Sequence, residues 1–189
     1  GCAVWGDYDN DGDLDILLAG KSGSWRTAIV YRNDGNGNFT NINAGLAGVS
    51  LCSGAWGDYD NDGDLDIFLL GESGTGAIFK IYRNNGNATF TDINVGLPGI
   101  SNGDLSLGDY NNDGFIDILV TGYDNSTIFR NNNNGTFTDI NAPLTKVFGK
   151  ASVWGDYDND GDLDILLTGY INNTGVKNVS EIYRNDGNG

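Results

Sequence analysis

Residues 7–15 read DYDNDGDLD, and the same nine letters return at Asp58 and at Asp156. An edited copy, DYNNDGFID, begins at Asp109. Like charges packed this closely repel, so either the loops stay splayed in solvent or a cation holds them together. Acids at loop positions 1, 3 and 5 can converge on one point, because Gly at position 6 permits a sharp turn. Position 7 can add a backbone carbonyl, and Asp at position 9 closes the shell. An all-oxygen, multi-carboxylate set of this kind suits Ca²⁺, a hard cation that takes 6–8 ligands. Zinc is disfavoured, since the chain has no His and no paired Cys near the loops. Magnesium prefers smaller octahedral sites that keep several waters.

An EF-hand opens in the same way but needs Glu at position 12 and helices on both sides. Here position 12 is Leu18, Leu69, Val120 or Leu167, inside an apolar, strand-like run. The loop therefore has to cap a β-hairpin and finish at position 9. The competing reading is a turn rich in Asp and Asn for conformational reasons. Such a turn does not require Asp at positions 1, 5 and 9 in all four copies.

The charge supports a local reading of the acidity. The 189 residues carry 26 acids and 10 bases, a formal charge of −16, and eighteen of those acids lie in the four loops. Outside the loops 8 acids face 10 bases, so the remaining surface is balanced, unlike a diffuse acidic tail. No basic stripe exists to neutralise phosphates, so we expect no nucleic-acid partner. No run of about 18 apolar residues predicts a membrane span, and we expect no signal peptide within these residues. With neither an initiator Met nor any other Met, the chain reads as a mature or excised piece. Two cysteines, Cys2 and Cys52, sit just before the first two loops on strands that can be neighbours. They can form a bridge in an oxidising compartment or remain two small buried thiols.

The loops must be positioned by a repeat. They start at 7, 58, 109 and 156, giving periods of 51, 51 and 47. Each repeat continues into an apolar run (DILLAG, DIFLLG, DILVTG, DILLTG), an aromatic-Arg-Asn step, a Gly-rich turn and Phe-Thr. Short β-branched or aromatic segments between Gly, Asn and Asp clusters read as strands and turns throughout. Four strands per repeat are expected, around the Trp, the ILL run, the YR segment and the FTDIN segment. The apolar run is buried on both faces, which suits β-propeller blades packed between blades. A β-sandwich is the alternative, but it gives no reason for such close repetition. All length variation falls in the hairpin after the ILL strand, and insertions of this kind map to one rim, often a binding one. Solvent-loop drift explains any single hairpin equally well.

The phrase WGDYDNDGDLDILL followed by YRNDGNGNFT resembles the FG-GAP/VCBS repeats of integrin α-subunit-like β-propellers. The resemblance covers essentially the whole chain. It implies calcium ligands Asp7, Asp9, Asp11, Asp13 (backbone) and Asp15, and in the second repeat Asp58, Asp60, Asp62, Asp64 and Asp66. The third repeat offers Asp109, Asn111, Asp113, Phe115 (backbone) and Asp117; the fourth, Asp156, Asp158, Asp160, Asp162 and Asp164. Asn111 and Phe115 depart from the pattern, so we expect weaker binding there. About four Ca²⁺ are implied, one per repeat, in a structural role.

Other residues are read more plainly. Trp5, Trp56, Leu107 and Trp154 share one repeat position and are expected in the packing between blades. The arginines Arg32, Arg83, Arg130 and Arg184 are equally periodic and read as structural. Trp25, Tyr123 and Tyr170 lie in the variable hairpins and can stack on sugars. Sequons at Asn38, Asn87, Asn125, Asn134, Asn172 and Asn178 are glycosylation acceptors only if the source glycosylates Asn. The acids left for catalysis are Asp34, Glu72, Asp92, Asp104, Asp124, Asp139, Glu181 and Asp186, and no His accompanies them.

The expectation is therefore an all-β, propeller-type array of four roughly 50-residue repeats, the last incomplete. It forms a single domain over residues 1–189, with repeats at about 1–50, 51–102, 103–149 and 150–189, part of a larger propeller or assembly. The function expected is extracellular or cell-surface binding or adhesion toward a protein or glycan, without catalysis. A fibre subunit associating through an open C-terminal edge, and a carbohydrate-binding accessory domain, are the alternatives.

Overall fold

A computed structural model describes residues 1–122, 125–171 and 176–187. Among them there is no helix, and every sheet is antiparallel. The chain divides into two compact units, Gly1–Ser101 and Asn102–Gly189. Each unit contains two sheets and each sheet one repeat.

The first sheet is β1 (Cys2–Gly6), β2 (Asp15–Ser22), β3 (Trp25–Asn33) and β4 (Phe39–Asn41), in that spatial order. The second is β5 (Ser50–Gly57), β6 (Asp66–Glu72), β7 (Ala77–Asn84) and β8 (Phe90–Asp92). In the other unit, β9 (Gly103–Gly108), β10 (Asp117–Gly122), β11 (Ser126–Asn131) and β12 (Phe137–Asp139) form the third. The fourth has three strands, β13 (Phe148–Gly155), β14 (Asp164–Ile171) and β15 (Lys177–Tyr183). Order along the chain equals order in the sheet, so each blade is a meander, and among the described residues the fourth carries one strand fewer.

The ILL run supplies the second strand of every blade. In β6 and β10 its successive residues are all buried, as expected of a sheet covered on both faces. In β2 and β14 one face opens: Leu18 is 41% and Leu166 is 43% exposed. Within Gly1–Ser101, Leu17 and Val30 of the first sheet meet Ile67 and Leu69 of the second in one cluster. Within Asn102–Gly189, Leu119 and Ile128 meet Ile165 and Leu167 in the same way.

The Trp position locks these pairs. Trp56 stacks on Tyr8 of the preceding repeat, centroids 6.0 Å apart and planes 12° from parallel, and its indole N–H donates to the Val4 carbonyl at 3.4 Å. Trp154 repeats this on Tyr110 at 6.1 Å and on the Ser106 carbonyl at 3.3 Å. The Gly before the first and third acidic loops makes the room, since a Cβ on Gly6 would stand 2.5 Å from Trp56 Cδ1 and one on Gly108 2.9 Å from Trp154 Cδ1. Trp5 differs from expectation. It is 61% exposed beside Phe39, because the first sheet turns its opposite face toward the second. Leu107 is half-buried.

The two cysteines stand on neighbouring strands as thiols, Sγ to Sγ 3.3 Å. The face assignment has a direct test. Leu69 is fully buried, while Leu18, at the same repeat position, is 41% exposed. Leu69→Ala should cost about 2–5 kcal/mol in urea denaturation, and Leu18→Ala well under half of that.

Candidate metal centre

Each acidic loop joins the first and second strands of its blade. Positions 1 and 9 are pinned by the hairpin, because Gly6 pairs with Asp15, Gly57 with Asp66, Gly108 with Asp117 and Gly155 with Asp164. Between them the chain turns through two left-handed residues. Position 4 is Asn in every loop, at φ 59°, 57°, 56° and 60° for Asn10, Asn61, Asn112 and Asn159. Position 6 is Gly, with φ 92° at Gly12 and 94° at Gly63, a conformation costly for other L-residues.

The carboxylates divide the work of holding this turn. Position 1 accepts two backbone N–H bonds: Asp7 from Asp11 and Gly12, both at 3.0 Å, and Asp58 from Asp62 and Gly63. Asp109 and Asp156 do the same in their loops. Position 5 accepts from the N–H of position 7, Asp11 from Asp13 at 2.8 Å, and likewise Asp62, Asp113 and Asp160. The donor at position 7 of the third loop is Phe115.

Position 9 is buried in all four loops. Its two oxygens accept from the position-2 Tyr and from the Asn of the aromatic-Arg-Asn step. Asp66 takes the N–H of Tyr59 at 3.0 Å and that of Asn84 at 2.8 Å. Asp15, Asp117 and Asp164 take the equivalent pairs. Burial pushes the Asp66 carboxyl up to about 7 and that of Asp117 to about 6, against the bonds from Asn84 and Asn131. Burial also raises Asp15, Asp9 and Asp60, with Asp11 adding to Asp9 and Asp62 to Asp60.

Three loops bring three carboxylate oxygens within 4.8 Å of one another: Asp7, Asp9 and Asp15; Asp58, Asp60 and Asp62; Asp156, Asp158 and Asp164. In the third loop position 3 is Asn111, whose amide donates to Asp113 at 2.9 Å. Asp60 Oδ1 is buried with no hydrogen-bond partner. An orphaned carboxylate oxygen between two further carboxylates is expensive for a protein alone and suited to a hard cation. The donor set therefore fits a divalent ion of the calcium type. Position-7 carboxylates face elsewhere: Asp64 accepts from Asn10 at 3.1 Å, and Asp162 from Asn112 at 2.7 Å.

The aromatic-Arg-Asn step emerges as part of the site. The Asn84 amide donates to the Tyr8 carbonyl of the preceding repeat at 2.8 Å and to the Leu65 carbonyl of its own loop at 3.2 Å. Asn185 does the same with Tyr110 and Leu163. Tyr82 and Tyr183 cap linker amides, those of Ala47 and Thr145. Burial raises the carboxyls of Asp9, Asp60 and Asp158, and the guanidiniums of Arg32, Arg83 and Arg184 only partly oppose that rise. Periodicity marked this step as structural; the loop contact of its Asn had no signal beyond that periodicity.

The other singled-out residues are placed as follows. Trp25 is 82% exposed at the β2–β3 turn, and Tyr170 stacks on Phe148 at 5.5 Å. Tyr123, Asp124 and Asn172 lie outside the described residues. Asn87 and Asn134 use their amide oxygens to accept from Thr89 and Thr136, backbone and hydroxyl alike, so the sequon spacing there also serves a turn. Asp34, Asp92 and Asp186 pair with Arg32, Lys80 and Arg184. Asp104 and Asp139 accept the N–H of Ser152 and Asn141, and Glu181 accepts from the Tyr183 hydroxyl.

The sequence profile of the FG-GAP-like repeat matches residues 7–69, 58–120 and 109–167. Each match runs from one acidic loop into the apolar strand after the next. No curated protein matches the chain in sequence. Among solved structures, an Agrocybe aegerita lectin, described by its specific recognition of non-reducing terminal N-acetylglucosamine, shares the fold. The TM-score is 0.53 at 22% identity, over 96% of this chain and 51% of that one. The chain thus spans about half the length of that structure.

A carboxyl whose pKa rises on folding favours the folded state in its protonated form. That contribution is full below the unfolded value near 3.9 and is lost as pH climbs through the folded one. With Asp66 at about 7 and Asp117 at about 6, the metal-free chain should melt higher at pH 5 than at pH 8. Calorimetry in EDTA across that range checks it; a midpoint that falls on acidification contradicts the assignment.

Proposed function

The chain belongs to the FG-GAP-like repeat family, and from that premise we propose that it is a calcium-stabilised, non-catalytic binding module of the extracellular space or cell surface. The observation that carries the calcium reading is the orphaned, buried Asp60 Oδ1 beside Asp58 and Asp62. The ion would be held by Asp7, Asp9 and Asp15, by Asp58, Asp60 and Asp62, and by Asp156, Asp158 and Asp164. Asp109, Asn111, Asp113 and Asp117 would form a weaker fourth site, with one carboxylate replaced by an amide oxygen. Asp11, Asp66 and Asp160 would complete or support these sets, and the backbone at Asp13, Asp64, Phe115 and Asp162 would supply carbonyls. Bound Ca²⁺ supplies positive charge where the fold crowds carboxylates; four ions would halve the formal charge of −16.

The role is structural in this reading, because an acidic loop is where the longest-range hydrogen bond of each unit begins among the described residues, Tyr8–Asn84 in one and Tyr110–Asn185 in the other. An ion that binds only the folded state adds about 2.7 kcal/mol per site at a hundredfold excess over its Kd. Millimolar extracellular calcium is a suitable supply for sites of ordinary affinity. Support for a non-catalytic role is that six of the eight acids outside the loops are committed to ion pairs or hydrogen bonds within the fold, with no His in the chain.

The ligand we favour is a glycan, met at the β2–β3 hairpin of the first sheet. Trp25, 82% exposed at a hairpin tip, offers the flat apolar face that stacks on a sugar ring. The lectin that shares the fold is compatible with this choice. A protein ligand in adhesion is the competing outcome.

Two measurements test these readings. Excess EDTA should lower the melting temperature by roughly 10 °C or more, at about 2–4 °C per kcal/mol for a chain of this size. Asp60→Ala should remove one calcium from the titrated stoichiometry while the fold persists in millimolar calcium, and Asp60→Asn, which copies Asn111 of the third loop, should only weaken that site. An unchanged melting curve in EDTA would sink the calcium reading. On a glycan array, Trp25→Ala should lose at least tenfold in any signal that the unmodified chain gives. Equal binding by both, or none by either, counts against the glycan.

A further inference from the structure

Cys2 and Cys52 meet across the packing between the first two sheets, and the acidic loops make no use of them. Cys2 lies half-buried in β1, and Cys52 lies in β5, 2% exposed. Both belong to the apolar cluster that joins these sheets, with Leu17, Ala19 and Leu69. Their sulfurs stand 3.3 Å apart. The Cys2 thiol donates to Cys52, and the Cys52 thiol donates onward to the Ala19 carbonyl at 3.4 Å.

The backbone brings Cys52 to this place by a costly route. β5 shifts register against β6 between Ser50 and Ser53, and Leu51 within that bulge takes φ 48°. The fourth sheet has the same shift, between Phe148 and Ala151, and there the corresponding residue is Gly149 at φ 136°. A leucine in the left-handed region is unfavourable, and the Leu51 side chain, 52% exposed, gains little burial in return. The residue that the bulge turns inward is the next one, Cys52. Opposite it a Cβ on Gly71 would stand 2.9 Å from the Cys52 Cβ, so glycine leaves the room. The repeat position of Cys2 also laces sheets in the other unit, where Asp104 accepts the N–H of Ser152 at 3.0 Å.

We propose that Cys2 and Cys52 form a reversible disulfide, made and broken by thiol–disulfide exchange, which staples the first sheet to the second. From 3.3 Å the sulfurs need to close by only about 1.3 Å to reach bonding distance. The oxidant is a small disulfide such as oxidised glutathione. The thiolate of Cys2, the more accessible of the two, attacks one glutathione sulfur and expels the other as a thiolate. Cys52 then loses its proton and attacks the Cys2 sulfur, expelling the second glutathione. Two thiols become one disulfide, two electrons pass to the oxidant, and the two protons end on the glutathione thiolates. The partners are 50 residues apart in sequence, so the bond closes a long loop and strongly restricts the unfolded chain. Neither a metal nor a glycan enters the proposal.

The test equilibrates the full 189-residue chain with glutathione redox buffers, folded and in urea. Intact mass and peptide mapping follow the link between Cys2 and Cys52. The folded chain should hold the intramolecular bond with an equilibrium constant about a hundredfold or more above that of the urea-unfolded chain, as a loop of this length implies. The oxidised chain should melt roughly 5–15 °C above the reduced one, and dithiothreitol should remove the difference. Cys2→Ser, at the more accessible position, should show no such shift. Should that variant not fold, the two redox states of the unaltered chain still decide. The proposal is overturned if both thiols persist in excess oxidised glutathione, if reaction stops at a glutathione adduct of Cys2, or if bonds form only between chains. An intramolecular bond with equal equilibrium constants folded and unfolded, and no change in melting, overturns it as well.

Discussion

A buried aspartate at the ninth loop position is the constraint on which each blade depends. A carboxylate taken out of water must find donors, and here the donors are backbone N–H groups from two different places in the repeat. One comes from the loop itself, at the position-2 Tyr, and so closes the turn. The other comes from the Asn that ends the third strand, and so fastens the loop to the sheet behind it. The hairpin register places this carboxylate opposite Gly at the end of the first strand. Loop, second strand and third strand are therefore tied at one atom pair, four times in the chain.

The tie between blades is made by the neighbours of that carboxylate. The Tyr that donates to it lays its ring under the next repeat's Trp. The same Tyr offers its carbonyl to the side chain of the next repeat's Asn. Gly6 and Gly108 are small because that Trp has to approach the backbone there. The interface between sheets is thus continuous with the acidic loop. Charge neutralisation in the loop would be felt in the packing, since a splayed loop would withdraw both the ring and the carbonyl.

Much of the fold was legible because the repeat is written in residue types with narrow conformational uses. Gly at position 6 and Asn at position 4 mark left-handed turns. The ILL run marks the second strand of each sheet, buried on both faces in β6 and β10. The four-stranded blade, its strand order and the acidic clusters follow from those signals. The role of the Asn in the aromatic-Arg-Asn step was not legible. A hydrogen bond to a carbonyl 76 residues away leaves no mark on local pattern, and Asn-rich turns surround it. Nor could pattern tell Trp5 from Trp56, because burial at that position is conferred by the preceding sheet and not by the residue.

By itself, the sequence determined the repeat, its strands and the chemistry of its loops, because period, turn residues and carboxylate spacing act over a few residues each. Only the tertiary structure decided which carboxylate is buried, which carboxylate oxygen is left without a donor, and which face of each ILL strand is covered. Those are properties of partners brought together across a blade interface, and partnership is set by packing, not by any one segment.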